Sequence, residues 1–390
     1  MSRLYSTTLE QHERHAAVTL EKDNKVYTLP YFWLRDHCHC SECYHPVTRQ
    51  RQVNTFAIDR QIQPTAMHCH DQHLTVEWPG GHTSDFAYDW IATHGHTGEA
   101  GRDPLVNPQP LRLWTSKDLN DHPRPKLTYE EVIHTETGLA TWLDRLETDG
   151  LAFVEDTPTT LEATETLARR LCFLRETHYS QGMWSFTADL AHADTAYTQL
   201  ALGAHTDNTY FTEPSGLQMF HKLEFQGQGG DSLFVDGFEV ARQLKEEDPL
   251  AYEVLSTTRI PTHSAGDEQV LIVASPRANP ILNHDPAGDL YQIRYNNDDR
   301  STLNHLSPAA LDRFYDALFV WHKLLTRPEN EYWDPLPPGR VAIFDNWRVL
   351  HGRSAFTGHR RICGAYFPWD DYKSRARTVR LSAKEKDRVL

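Results

Sequence analysis

The sequence predicts a mainly β protein, a barrel or sandwich of many short strands with a smaller β domain ahead of it. Three observations carry that expectation. Short apolar runs separated by Gly and Pro turns dominate from residue 197 onward, no strand–helix alternation marks a parallel sheet, and the first hundred residues hold two hairpin patterns.

Residues 16–30, AAVTLEKDNKVYTLP, alternate apolar and polar about a turn at Asp23-Asn24. At 74–86, LTVEWPGGHTSDF repeats the theme of strand, Pro-Gly-Gly turn and strand. These segments place a small β domain at residues 1–105. Residues 102–126 carry five prolines and few periodic apolar positions, so a Pro-rich linker is expected at 106–126 and a second domain at 127–390. TYEEVIHTETGLATWLDRLETDG and TLEATETLARRLCFLRETHYS then show helical spacing, each opening near a Thr able to cap it. Strand-like runs follow: GLQMFHKLEF, DSLFVDGF, DLYQIRYNN, RVAIFDNWRVLHG and RICGAYFPW. A helical insertion at 307–327, SPAALDRFYDALFVWHKLLTR, interrupts them.

With 390 residues the chain can bury one large or two modest cores, and its formal charge of −15 argues against a nucleic-acid partner. No window has the apolar length of a membrane helix, and the first residues lack the apolar stretch of a secretory signal. The expectation is a soluble cytoplasmic protein with no membrane partner. A vestigial mitochondrial presequence is the alternative, because no acid precedes Glu10.

Six cysteines are too few for a disulfide scaffold, and Cys38, Cys40 and Cys43 cluster in LRDHCHCSECYHP, a spacing that points to metal. Three thiols suit a structural tetrahedral zinc that needs one more ligand. His37, His39 and His45 beside the cysteines, and His68 and His70 in MHCH, are candidates for it.

GAHTDNTY at 203–210 sets His205 and Asp207 two positions apart, and on a strand such residues share a face. With a distant second histidine they form the facial triad of non-haem Fe(II) oxygenases, which leaves coordination positions open for cosubstrate and oxygen. A bare H-x-D among 23 histidines is a weak signal. It strengthens with VAIFDNWRVLHGRSAFTGHRRICGAYF at 341–367, where a strand, a tight Asp-Asn turn and a second strand deliver His351. Gly352 after it permits close backbone approach to a ligand. Arg360 or Arg361 then suits a dicarboxylate through the guanidinium fork, and strand parity selects Arg360, on the face of Gly364 and Tyr366.

Residues 170–375 resemble the γ-butyrobetaine and trimethyllysine dioxygenases, 2-oxoglutarate enzymes of carnitine biosynthesis. The motifs DTAYTQLALGAHTDNTYF, GGDSLFVDGF, IRYNN, RPENEYW, PGRVAIFDNWRVLHGR and CGAY stand in order. The resemblance implies a double-stranded β-helix, or jelly roll, with flanking helices, holding Fe(II) through His205, Asp207 and His351. It implies 2-oxoglutarate on that iron with its far carboxylate on Arg360, O2 as cosubstrate, ascorbate in support, and a homodimer. Ser232 stands where related enzymes carry a hydroxyl for that carboxylate, although a turn serine bonding its own backbone is an equal reading. The family's N-terminal domain suggests His82, in PGGHTSDF, as the fourth zinc ligand.

Both family substrates carry a trimethylammonium group, best held by aromatic faces. By resemblance the cage would use Tyr179, Trp184, Tyr197 and Tyr366, against a background in which most aromatics simply fill core. The Tyr-to-Trp spacing in HYSQGMW is five, one longer than the family's pattern. A carboxylate in the pocket would favour the α-ammonium of trimethyllysine and repel γ-butyrobetaine. Asp194 stands where butyrobetaine hydroxylases have asparagine, so the expected reaction is C3 hydroxylation of trimethyllysine, with γ-butyrobetaine as the alternative. Asn296 or Asn297 would take the substrate carboxylate, the default reading of YNNDDR being a polar turn.

Overall fold

The computed structural model describes residues 7–21, 24–98, 111–187, 198–266, 268–273 and 278–386. The chain divides into two compact units, residues 1–107 with 381–390, and residues 108–380.

In the first unit, two three-stranded antiparallel sheets enclose a core that includes Val18, Leu29, Leu74, Val76, Trp78 and Phe86. One sheet is Thr7–Gln11, His15–Leu20 and Lys25–Pro30; the other is Ala66–Cys69, His73–Glu77 and Thr83–Ala87. The burial of His15–Leu20 alternates strictly, as a half-buried strand requires. Asn24, with φ of 52°, sits in the turn expected there. At the second hairpin Gly80 and Gly81 both have positive φ, and the Trp78 N–H closes the turn on the His82 carbonyl at 2.8 Å.

Two sheets form the heart of the second unit. The larger runs, in spatial order, Met183–Phe186, Phe356–Phe367, Leu217–Gly229, Val341–Asp345 and Leu151–Val154; the smaller runs Leu202–His205, Val349–Arg353, Ser232–Asp236 and Tyr332–Asp334. Every pairing between these strands is antiparallel. Most consecutive strands of the two sheets change sheets. Leu217–Gly229 passes through Gly229 and Gly230 into Ser232–Asp236 of the other sheet, and Val341–Asp345 turns at Asn346 into Val349–Arg353. That winding is the double-stranded β-helix.

Both faces of these sheets are covered, so their strands read as nearly continuous apolar runs. Phe234, Ala342, Phe344 and Val349 pack between them. Leu217, Met219, Ile343 and Phe367 point outward onto a layer containing helices Glu136–Asp149, Leu161–Leu171 and Trp369–Arg380. Val235 and Leu350 face helices Gly237–Glu247, Pro249–Thr257 and Pro308–Leu325. The first expected helix is two. Thr135, extended at φ −129°, ends Tyr129–His134 and caps the next by accepting the Gly138 N–H.

The expected linker behaves differently from a linker where it is described. Residues 106–110 lie outside the described residues, whereas 111–126 pack within the second unit. Buried Trp114 donates its indole N–H to the Asp149 carbonyl at 2.7 Å and its backbone N–H to the Asp236 carboxylate at 3.0 Å. One large aromatic outweighs the proline content around it.

Candidate active site

Strand Leu202–His205 pairs with Val349–Arg353 so that His205 and His351 are direct cross-strand partners, their rings 4.3 Å apart. Asp207 lies just beyond the end of its strand, in a bend, not on the strand as expected. It reaches the histidines because Asn346 clamps its backbone: the Asp207 N–H donates to Asn346 Oδ1 at 2.8 Å, and Asn346 Nδ2 donates to the Asp207 carbonyl at 3.0 Å. Thr206 turns away and accepts the Tyr295 N–H at 3.0 Å.

One ligating atom from each of His205, Asp207 and His351 lies within 4.8 Å of the others. Asp207 Oδ1 is 3.2 Å from His205 Nε2 and 3.7 Å from His351 Nε2. His205 Nδ1–H donates to the Gly203 carbonyl at 2.8 Å, which directs Nε2 at Asp207. The other carboxylate oxygen, Asp207 Oδ2, accepts from Gln218 Nε2 and from the Tyr366 hydroxyl, each at 2.7 Å. Burial opposes the imidazolium of His205, but the Asp207 carboxylate outweighs it and raises that group to about 9. Burial and the charge on His205 push His351 down to about 3. The two imidazoles overcome burial at Asp207 and hold its carboxyl well below the usual range. Two imidazole nitrogens and one carboxylate oxygen are a donor set suited to Fe(II).

These groups open onto a cavity of about 1040 Å³. Arg360, Ser232, Trp184, Tyr179, Tyr366 and Asn296 all line it. Arg360 is 6% exposed, its Nε has no hydrogen-bond partner, and burial, then Arg353, pushes its guanidinium well below the ordinary value. Arg361 instead faces out and donates to Glu224 at 3.2 Å. The guanidinium lies over the Phe356 ring at 5.5 Å, and a cation in a cavity wall with no carboxylate on it suits an anionic ligand such as a dicarboxylate. Ser232 is buried opposite Arg353.

Trp184 stacks on Phe186 at 5.3 Å, with Tyr366 at 6.2 Å and Phe220 at 5.7 Å. Gly364 makes this arrangement fit, since a Cβ there would lie 2.4 Å from the indole. Tyr179 shares a hydroxyl hydrogen bond of 2.9 Å with Tyr210. Asn296 accepts the Asp298 N–H at 3.0 Å and Asn297 accepts from Arg300 at 3.3 Å, the bonds of a polar turn. Asp194 and Tyr197 lie outside the described residues. Gly352 lines the cavity and also lets the neighbouring strand come close, since a Cβ there would meet the Leu202 carbonyl at 2.5 Å.

In the first unit Cys38, Cys40, Cys43 and His82 gather a second set of ligating atoms. His82 Nε2 lies 3.4, 3.7 and 3.6 Å from the three sulfurs. A tetrahedron with zinc bonds of about 2.3 Å to sulfur and 2.0 Å to nitrogen has S···N edges of about 3.5 Å. The other candidates are engaged elsewhere. His37 Nδ1–H donates to the Trp33 carbonyl, His45 accepts the Thr48 N–H, His68 faces Glu77, His70 stacks on His73, and His39 lies against Tyr44.

Comparison with known proteins shows the family. The model of the taurine catabolism dioxygenase TauD, TfdA family matches residues 115–366, and that of the γ-butyrobetaine hydroxylase-like N-terminal domain matches residues 8–92. Trimethyllysine dioxygenase from Neurospora crassa is 40% identical over 93% of this chain and 82% of that protein. The human mitochondrial trimethyllysine dioxygenase is 39% identical over 98% of this chain and 89% of its own. The chain belongs to the trimethyllysine dioxygenase family. Human γ-butyrobetaine dioxygenase is more distant, 29% identical over 94% of this chain and 95% of that protein.

Set in that family, the chain has site residues that sequence patterns did not single out: Gln218, Asn346, Arg353, Tyr210 and Phe220. Gln218 had a signal, a polar residue inside the apolar run GLQMFHKLEF that is buried and must find a partner. Asn346 was read only as part of a turn.

Proposed function

We propose that this enzyme hydroxylates C3 of free N6,N6,N6-trimethyllysine, consuming 2-oxoglutarate and O2 and yielding succinate and CO2. The observation that carries the reading is a His-Asp-His ligand set at the wall of a cavity that also presents the buried Arg360, whose Nε has no hydrogen-bond partner. His205, Asp207 and His351 would hold Fe(II), which supplies oxidative decarboxylation of 2-oxoglutarate coupled to C–H hydroxylation.

The chain's own residues bind and orient. Arg360 grips the far carboxylate of 2-oxoglutarate in its guanidinium fork, with Ser232 offering a hydroxyl. Trp184, Tyr366 and Tyr179 present aromatic faces to the trimethylammonium group, each contact worth about 0.5–2 kcal/mol, and Tyr197 would join them. The same wall excludes water from the reacting carbon. Asp194 would pair with the α-ammonium, and Asn296 with the carboxylate, once its turn bond is exchanged. Higher identity to trimethyllysine dioxygenases than to γ-butyrobetaine dioxygenase supports this choice of substrate.

The Cys38, Cys40, Cys43 and His82 cluster would hold a structural zinc, supported by S···N distances of 3.4–3.7 Å. Ascorbate would keep the iron reduced. We read the enzyme as a cytoplasmic homodimer. Light scattering tests the assembly and cell fractionation the location, for which mammalian relatives named mitochondrial supply the alternative.

The test of function is turnover with Fe(II), ascorbate and 2-oxoglutarate, offering trimethyllysine and γ-butyrobetaine separately. Succinate with a product one oxygen heavier from trimethyllysine alone is expected. Turnover of γ-butyrobetaine alone would overturn the substrate assignment and leave the iron site intact.

A further inference from the structure

Gln218 and Tyr366 are cross-strand partners on neighbouring strands of the larger sheet, Leu217–Gly229 and Phe356–Phe367. Side by side, both donate to the same oxygen, Asp207 Oδ2, at 2.7 Å. Oδ1 faces His205 and His351 at 3.2 and 3.7 Å. The two donors therefore hold Asp207 to one ligating oxygen and draw on its negative charge. They differ in what else they touch. Tyr366 lies in the cavity wall, its ring 6.2 Å from that of Trp184, while its hydroxyl bonds Asp207.

We propose that Tyr366 is a positioning residue that couples occupancy of the cavity to the metal ligand Asp207. A cation held against the phenol ring draws electron density from it and strengthens its hydroxyl as a donor. Asp207 then gives less charge to the metal, and the site responds to whether substrate is present. This coupling rests on the assignment of Fe(II) to His205, Asp207 and His351 and of a trimethylammonium substrate to the cavity.

The experiment follows the visible charge-transfer band of the anaerobic Fe(II) and 2-oxoglutarate complex as trimethyllysine is added. Wild type should show a substrate-dependent shift. Tyr366→Phe keeps the ring and removes the hydroxyl. It should bind trimethyllysine within about threefold of wild type. It should also lose most of the band shift and form more succinate per hydroxylated product. A variant that weakens trimethyllysine while band shift and product ratio stay at wild-type values would overturn the coupling and leave Tyr366 as cavity wall only. Should Tyr366→Phe not fold, Gln218→Met makes Tyr366 the sole holder of Oδ2. The shift should then grow, and an unchanged shift overturns the proposal. A wild type that shows no band with Fe(II) and 2-oxoglutarate overturns the iron assignment itself, a failure distinct from an intact band that trimethyllysine does not move.

Discussion

Replacing Arg360 with Met separates binding from stability in a way the structure makes quantitative. The guanidinium is 6% exposed, its Nε has no partner, and Arg353 adds like charge. Among the described residues no carboxylate pairs with it in the ligand-free protein, and its neighbour is the Phe356 ring, 5.5 Å away, so the buried cation costs stability. A dicarboxylate would supply the missing partner. Truncating one side of a buried, hydrogen-bonded charge pair costs about 3–4 kcal/mol, which at 1.4 kcal/mol per tenfold is a rise in KM for 2-oxoglutarate of about 10²- to 10³-fold. The ligand-free Arg360→Met protein should be as stable as wild type or more so. Arg361 is the internal control. Its pair with Glu224 joins side chains 42% and 51% exposed, an interaction worth less than about 1 kcal/mol. Arg361→Met should therefore keep KM within about threefold of wild type. Succinate formation against 2-oxoglutarate concentration, with urea denaturation of each ligand-free variant, measures both quantities. A KM for Arg360→Met near the wild-type value, or an equal loss in Arg361→Met, would refute the assignment.

Wild-type protein should carry zinc in the first unit, and His82→Ala or Cys43→Ser should lose it and abolish cooperative unfolding of that unit, because structural zinc contributes about 10–16 kcal/mol in small zinc domains. Metal analysis with circular dichroism checks this, and His39→Ala should keep the metal. Asn346→Ala removes both clamps on Asp207 and a bond from Nδ2 to the Ser215 carbonyl. It should cost about 3 kcal/mol in urea denaturation and weaken Fe(II) in an anaerobic titration. Burial raises the Asp345 carboxyl from 3.8 to about 6. The folded state thus holds this proton more tightly than the unfolded state. The group's contribution favours folding below about pH 4 and is lost as pH rises to about 6. Asp345→Asn should therefore gain stability relative to wild type across that window, by up to about 3 kcal/mol. Denaturation of both proteins from pH 4 to 7 that showed parallel curves would exclude the effect.

Much of the fold was legible because both sheets of the second unit are covered on both sides. Ser232–Asp236 is buried along its whole length and Val341–Asp345 over its first four residues, so their sequences are apolar enough to stand out. What periodicity could not supply was which sheet each strand joins. RVAIFDNWRVLHG reads as a hairpin, yet its two strands lie in different sheets, and the turn between them sends Asn346 onto Asp207. In the described part of the expected linker, 111–126, proline content reports local backbone, whereas the burial of Trp114 is a long-range event.

The sequence by itself determined the inventory and the local geometry. It contained the H-x-D pair, the later histidine, the arginine chosen by strand parity, the cysteine cluster and the family motifs, all of which depend on residue type and short spacing. Only the tertiary structure decided that His82 faces the three thiols, that Gln218 and Tyr366 share one oxygen of Asp207, and that Asn346 holds Asp207 beyond the end of its strand. Those contacts join residues 39 to 159 positions apart, or 11 across a strand change. Spacing along the chain says nothing about such pairs, because sheet order and register, not sequence distance, bring them within hydrogen-bond reach.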